Sequence, residues 1–292
     1  MQQATYSEDD FARLVPHPLA EDNKYSRGIV HVVGGSTLYP GAAALAARAA
    51  QRTGAGYTQV WCAQESVHDV RAGRPSLVVR PWDKHALASA LGRDETRNAT
   101  VLVGPGTESA DDITLSLLKI ALNTTLPLVV DAGALGTLAA HARIDLARQL
   151  DARRKANAPL VLTPHAGEAA RLCDGIGERP TSPDEIAIAL AHGYRAVVAL
   201  KGPDTIIADN GTLYRMQEGT AALAKAGTGD VLAGIIAALL AQGLNAFDAA
   251  ALGTLLHARA GACAAQTYSD IGVIPEDVIE RVPEAAMRIG RG

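Results

Sequence analysis

The sequence predicts a doubly wound, three-layer α/β/α domain, on three observations. Short β-branched runs alternate with Ala- and Leu-rich helical stretches almost to the end of the chain. Such alternation builds βαβ units around a mostly parallel sheet. Several of the runs are apolar without alternation, the pattern of strands covered by helices on both faces. Finally, Asp209-Asn210-Gly211 separates two β-prone stretches as a hairpin turn would, which places antiparallel strands late in the sheet.

Taken in order, residues 1–24 read as an N-terminal arm. Within it, Ser7-Glu8-Asp9-Asp10 starts a short helix, and Pro16 and Pro18 stop it. Residues 25–292 read as one domain, because no repeat and no low-complexity linker divides them. Strands are expected at 29–33, 57–61, 77–80, 100–103, 128–131, 160–162, 196–200, 205–208 and 212–215. Helices are expected at 42–52, 85–91, 113–122, 134–150, 167–173, 183–192, 230–242 and 246–268, with a closing helix at 275–289.

Composition narrows the function classes. An apolar fraction of 48% and a charged fraction of 20% belong to an ordinary globular protein. Aromatic residues are only 4%, while Ala and Gly abound, which favours close helix–sheet packing over a β-sandwich. A net charge of −4 gives no electrostatic case for nucleic acid or a membrane surface. Cys62, Cys173 and Cys263 are too scattered for a disulfide framework and form no CxxC pair. They read as small core hydrophobes in a reducing compartment. The N-terminal residues lack a basic and an apolar signal region, and the longest apolar stretch, 231–241, is too short to span a bilayer. A cytoplasmic enzyme is the expectation.

In open α/β sheets, ligands sit beyond the C-terminal ends of the strands. Five chemically unusual features fall there: Gly34-Gly35-Ser36 with Gly41, Gly104-Pro105-Gly106, Asp131, Thr163-Pro164-His165, and Lys201-Gly202. A single glycine after a strand is usually a turn. Five features on one edge describe a binding crevice.

The sharpest segment runs from Gly219 to Gly234 and contains Gly227-Thr228-Gly229-Asp230. Its glycines let the backbone turn tightly and bare its N–H groups, and the helix that follows points its positive end at the loop. That is an anion hole suited to a transferring phosphoryl group. Asp230 is either a helix cap or a base that takes a proton from an attacking hydroxyl. The helix after it is apolar nearly all round, hence buried, and a Gly-x-Gly loop before a buried helix is poorly explained by capping alone. Lys201 offers a point charge for phosphate, against the alternative of a solvated loop lysine. His165 either fills a structural role or donates to a ligand from a helix start. Glu168 either caps that helix or orients water on Mg²⁺, and Asp131 either faces the crevice or bonds a neighbouring loop.

On these residues the chain resembles a known family. The Gly-x-Gly-Asp loop is similar to the anion-hole and base motif of the ribokinase-like superfamily. Gly34 to Ala42 with Arg52-Thr53-Gly54-Ala55-Gly56, Leu162 to Glu168, Leu200 to Thr205, and Ala224 to Gly234 resemble, in order, the motifs of the ADP- or ATP-dependent NAD(P)H-hydrate dehydratases. The resemblance runs from about Asn23 to Gly243 and implies a ribokinase-like fold. It also implies a repair reaction, in which a nucleotide phosphorylates the ring hydroxyl of NADH hydrate or NADPH hydrate and phosphate then leaves.

By matching positions, the resemblance implies that Ala42, Gly106 and His165 contact the hydrate, with Asp230 at its hydroxyl as the catalytic base. Lys201, Gly202, Pro203, Asp204, Thr205 and Gly229 are implied to hold the nucleotide. ADP is the expected co-substrate, with ATP the alternative and Mg²⁺ the implied ion. A homotetramer is implied as well. Many relatives carry a fused epimerase domain ahead of this one; the expectation here is none, with any epimerase on a separate chain. Two departures stand out. Gly133 occupies a position where the family often has a second carboxylate, and of the usual His-Lys-Gly motif only Lys24 and Gly28 carry over. The rival readings are a small-molecule kinase of the same superfamily, of the hydroxyethylthiazole or pyridoxal type, and a non-catalytic nucleotide sensor.

Overall fold

A computed structural model describes residues 2–109 and 111–289. The first third of the chain forms β1 (Gln2–Gln3), α1 (Glu8–Leu14), β2 (Ile29–Val33), α2 (Pro40–Arg52), β3 (Tyr57–Cys62), α3 (Val67–Gly73), β4 (Val78–Pro81) and α4 (Lys84–Asp94). The middle forms β5 (Ala99–Val103), α5 (Asp112–Leu122), β6 (Leu128–Val130), α6 (Gly133–His141), α7 (Ala147–Ala156), β7 (Leu160–Leu162), α8 (Ala166–Ile176) and α9 (Pro183–Tyr194). There follow β8 (Val197–Leu200), β9 (Thr205–Ala208), β10 (Thr212–Met216), α10 (Thr228–Ala241), α11 (Ala246–Gly272) and α12 (Pro275–Arg288).

The strands make one sheet in the order β1-β10-β9-β8-β7-β6-β5-β2-β3-β4. Pairing is parallel from β8 through to β4, whereas β9 runs antiparallel to both β8 and β10. The ribokinase-like three-layer architecture, with its late hairpin, is therefore the observed one. Asp209 sets the hairpin by accepting from the N–H groups of Gly211 and Thr212 at 2.9 and 2.7 Å. Strand order reverses between β2 and β5, so the helices that follow them pack on opposite faces of the sheet and leave a crevice at its edge.

Each sheet face carries its own apolar layer. One packs Val30, Val32, Val60 and Leu102 against α2, α10, α11 and α12; the other packs Ile29, Val33, Val101 and Val103 against α4, α5, α6, α8 and α9. Helix α10 is buried along nearly all its length, which explains why its sequence shows no polar face. It crosses α2 on small residues. A Cβ placed on Gly234 would lie 2.1 Å from the carbonyl oxygen of Ala46, so only glycine fits there. The three cysteines are buried and unbridged. Among the described residues, no helix is long and apolar enough to cross a membrane.

Four details differ from the sequence expectation. The stretch expected as one helix over 134–150 divides into α6 and α7, at a turn where His141 Nδ1 meets Asp145 Oδ2 at 2.7 Å. Helix α11 runs on to Gly272 through a kink at Ser269, where φ is 61°. Helix α3 and strand β1 are additional. The N-terminal segment joins the main sheet, with β1 pairing parallel to β10. Phe11 is buried, Tyr6 stacks on it with ring centroids 4.8 Å apart, and the Tyr6 hydroxyl bonds Asp248.

Candidate active site

The crevice is assembled by backbone before any side chain enters it. Gly35 N–H donates to the carbonyl of Pro105 and Ser36 N–H to that of Gly106, each at 2.8 Å, which ties the loops after β2 and β5 together. Gly106 has φ of +70°, and a Cβ there would lie 2.3 Å from the carbonyl oxygen of Tyr39 and 3.1 Å from Cβ of Ala42. Ala42 sits in the first turn of α2, which Pro40 opens at the position where a missing N–H costs nothing. Ala42 and Gly106, far apart in sequence, thus face each other as one small-residue wall. A Cβ on Gly133 would lie 2.1 Å from the carbonyl oxygen of Thr107, so this backbone has no room there for the family's second acid.

Further along the edge, Lys201 leaves β8 and is stitched to the next loop. Its N–H donates to the carbonyl of Pro164 at 2.8 Å, and a β-bridge pairs His165 with Lys201. The ammonium lies 3.0 Å from Asp131 Oδ1 and 3.9 Å from Glu168 Oε2. Thr163 Oγ1 donates to the same Asp131 oxygen at 2.8 Å, so this buried carboxylate is held from two sides. Glu168 accepts from His165 N–H at 2.9 Å, completing a capping box for α8 while leaning on Lys201. The ring of His165 is exposed; its Nδ1 accepts from Gly167 N–H at 3.0 Å, which leaves Nε2 to carry the proton.

Helix α10 begins beside this cluster. Gly227 turns the chain with φ of +95°, and Thr228 Oγ1 closes the loop by donating toward the carbonyls of Leu223 and Lys225 at 2.7 and 2.8 Å. A Cβ on Gly229 would lie 3.2 Å from Nζ of Lys201, so the lysine reaches the helix start and a side chain there would crowd it. Asp230 is pushed up to about 7, by burial first, then by Asp131, with Lys201 pulling the other way and Glu168 adding to the rise. Burial also acts against the charge of Lys201, but Asp131, Glu168 and Asp230 outweigh it and raise its pKa. Near neutrality the site therefore holds a fixed cation beside a carboxyl group that titrates.

On the other side of the α10 start lies a cleft of about 670 Å³. Lys201, Gly202, Pro203, Thr205 and Gly229 line it, as do Leu223, Leu232, Thr254 and His257. Asp204 is not among the lining residues; its Oδ2 instead lies 3.5 Å from Arg215. His257, on α11, was not singled out from the sequence. It is buried, and burial pushes it down to about 4, with Lys201 adding to the fall and the backbone of Thr228 opposing it. The signal lay in the sequence as a lone imidazole within an Ala- and Leu-rich helix.

A cation, a carboxyl group that titrates near neutrality and a helix N-terminus, all at the sheet edge beside a nucleotide-sized cleft, fit a phosphoryl-handling enzyme of the ribokinase-like fold. A family model described as NAD(P)H-hydrate dehydratase matches residues 30–284. The chain belongs to the NAD(P)H-hydrate dehydratase family. It is 34% identical over 289 residues to an ADP-dependent (S)-NAD(P)H-hydrate dehydratase of Xanthomonas campestris, covering 96% of this chain and 95% of that protein. It is 39% identical over 259 residues to the bifunctional NAD(P)H-hydrate repair enzyme Nnr of Mycobacterium leprae, covering 88% of this chain but only 50% of that one. The chain thus spans about half the length of such bifunctional relatives. Among solved structures, the ADP/ATP-dependent NAD(P)H-hydrate dehydratase of Bacillus subtilis, co-crystallised with ATP/Mg²⁺, superposes with a TM-score of 0.80 at 25% identity, covering 97% of each chain.

Proposed function

We propose that this protein is an ADP-dependent dehydratase that returns (S)-NADH hydrate and (S)-NADPH hydrate to NADH and NADPH, releasing AMP and phosphate. The observation that carries the reading is Asp230, a carboxyl group at the start of α10 that titrates near pH 7 beside Lys201. Hydroxide is a poor leaving group, so the hydrate cannot lose water readily at neutral pH. Asp230 takes the proton of the ring hydroxyl as its oxygen attacks the terminal phosphorus of ADP, and AMP departs. The N–H groups at the start of α10 and the ammonium of Lys201 meet the charge that develops on the transferring group. The C–O bond then breaks with phosphate as leaving group, the ring nitrogen supplies electrons, and loss of a neighbouring ring proton restores the double bond.

Ala42, Gly106 and His165 hold the nicotinamide side, and the 670 Å³ cleft takes the nucleotide against Lys201, Gly202, Pro203, Thr205 and Gly229. Asp204 would fix that loop through Arg215 rather than touch the nucleotide. Mg²⁺ is bound mainly through phosphates with one or two carboxylates, and the buried pair Asp131 and Glu168 beside Lys201 suits that. When bound, the ion would neutralise phosphate charge. An epimerase activity would supply the S form, and assembly as a homotetramer belongs to the same reading. The test is recovery of NADH absorbance from NADH hydrate with ADP or with ATP. No recovery with either nucleotide rejects the dehydratase, and a phosphorylated product that accumulates without NADH favours a kinase.

A further inference from the structure

A second polar cavity, of about 460 Å³, lies on one face of the sheet away from the crevice. Its floor is Tyr57, Gln59 and Trp61 of β3, and its walls are the end of α4, Arg97 and the loop carrying Tyr25. It shares no lining residue with the nucleotide cleft. Charge on it is one-sided. Arg80, Arg93 and Arg97 line it against a single carboxylate, Asp94. That acid is already engaged, by His31 Nε2 at 2.9 Å and Arg97 at 3.0 Å, with Arg93 acting on it only at longer range and Arg80 forming no ion pair among the described residues.

Two further features say what else the cavity suits. Gln59 is only 5% exposed, and what remains accessible of it lines this cavity. An amide carries both donor and acceptor, so one on the floor of a cavity is suited to hydrogen-bond a ligand's edge. Guanidinium groups stack on the aromatic lining: Arg97 lies over the ring of Tyr25 at 5.1 Å, and Arg80 lies over Trp61 at 5.8 Å. Guanidinium groups that stack and also present free N–H forks are suited to phosphate.

We propose that this cavity is a second binding site for a phosphate-bearing heteroaromatic of mononucleotide size, its phosphate on Arg80 and Arg93 and its base edge on Gln59. The chain has two tryptophans, and both report on this place. Trp61 floors the cavity, and Trp82 Nε1 donates to the carbonyl of Trp61 at 2.9 Å. No tryptophan lines the nucleotide cleft.

The test is tryptophan fluorescence of the full chain titrated with AMP, with adenosine and with inorganic phosphate. A saturable change with AMP, displaced by phosphate at higher concentration and much weaker with adenosine, is expected. Arg80→Ala with Arg93→Ala, both exposed positions, should weaken the AMP response at least about tenfold. Gln59→Leu should weaken AMP but not phosphate. Lys201→Ala should leave the response in place. No saturable change, or one that vanishes in Lys201→Ala and survives in the double arginine variant, overturns the proposal. So does a double arginine variant that shifts the sedimentation coefficient in a chain that shows no AMP response, because the face would then belong to a second copy.

Discussion

Replacing Asp230 with Asn should disable the enzyme and stabilise the fold, and the two effects share one cause. The carboxyl group moves from 3.8 to about 7 on folding, about three units, chiefly because burial and Asp131 disfavour its charged form. At about 1.4 kcal/mol per unit the full displacement is about 4 kcal/mol, and water in the crevice reduces that to roughly 1–3 kcal/mol. Below about pH 3.8 both states carry the proton and nothing is lost. As pH rises, the unfolded chain releases it first while the folded chain keeps it to about 7, so wild-type stability falls across that window and then levels. Asparagine never ionises and escapes the loss. Thermal unfolding should place Asp230→Asn a few degrees above wild type at about pH 8, with the gap closing near pH 4. Turnover should fall about 10²- to 10⁴-fold, because the amide takes no proton, while calorimetry finds ADP binding retained. A variant no more stable than wild type at alkaline pH, or one that keeps its turnover, would refute the reasoning.

The same carboxyl sets the pH profile. Wild-type kcat/KM should rise with pH through about 7 as Asp230 ionises, and a flat profile there would count against it as base. Lys201→Ala removes the cation that favours the charged form, so the limb should move to higher pH, nucleotide binding should weaken more than hydrate binding, and Asp131 is left unpaired at a cost of about 2–4 kcal/mol. Equal weakening of both ligands in calorimetry would argue against the assigned cleft. For His257, the folded state resists the proton down to about 4 whereas the unfolded chain takes it near 6.5, so wild type loses stability as pH falls between them. His257→Gln should lessen that acid loss, read as a shallower fall in unfolding midpoint. Gly234→Val forces a side chain against the backbone of α2 and should cost at least about 2 kcal/mol, measured by denaturant unfolding.

Much of this was legible because the chain repeats a clear local grammar. Five of the strands, β2, β5, β6, β7 and β8, are apolar runs closed by Gly, Asp, Thr or Lys, and their parallel pairing brings those endings to one edge. What escaped were features without a local signal. The break between α6 and α7 contains neither Gly nor Pro, and rests on the His141–Asp145 contact. Strand β1 has two residues and exists only because β10 offers a free edge. Helix α3 is a single short span with one buried residue, Val70, so it carries almost no periodicity. The role of Asp204 turns on Arg215, a partner on another strand that sequence spacing does not reveal. Gly133 showed as a departure from the family, but its cause, the carbonyl of Thr107, belongs to a loop brought in by tertiary structure.

The meeting of Gly234 with the Ala46 backbone reaches further than packing. Helix α2 begins at the wall made by Ala42 and Gly106, and α10 begins at the Gly227–Asp230 loop beside Lys201. Both helices are rigid rods, so where they cross fixes how far apart their starting points lie. The crossing works as a caliper, and under the proposed reaction its setting would be the span across which oxygen meets phosphorus. A bulkier residue there would open the jaws without touching either ligand, leaving affinities nearly intact and starving the chemical step. In that proposal the tolerances of the reaction would be written in residues that never meet a substrate.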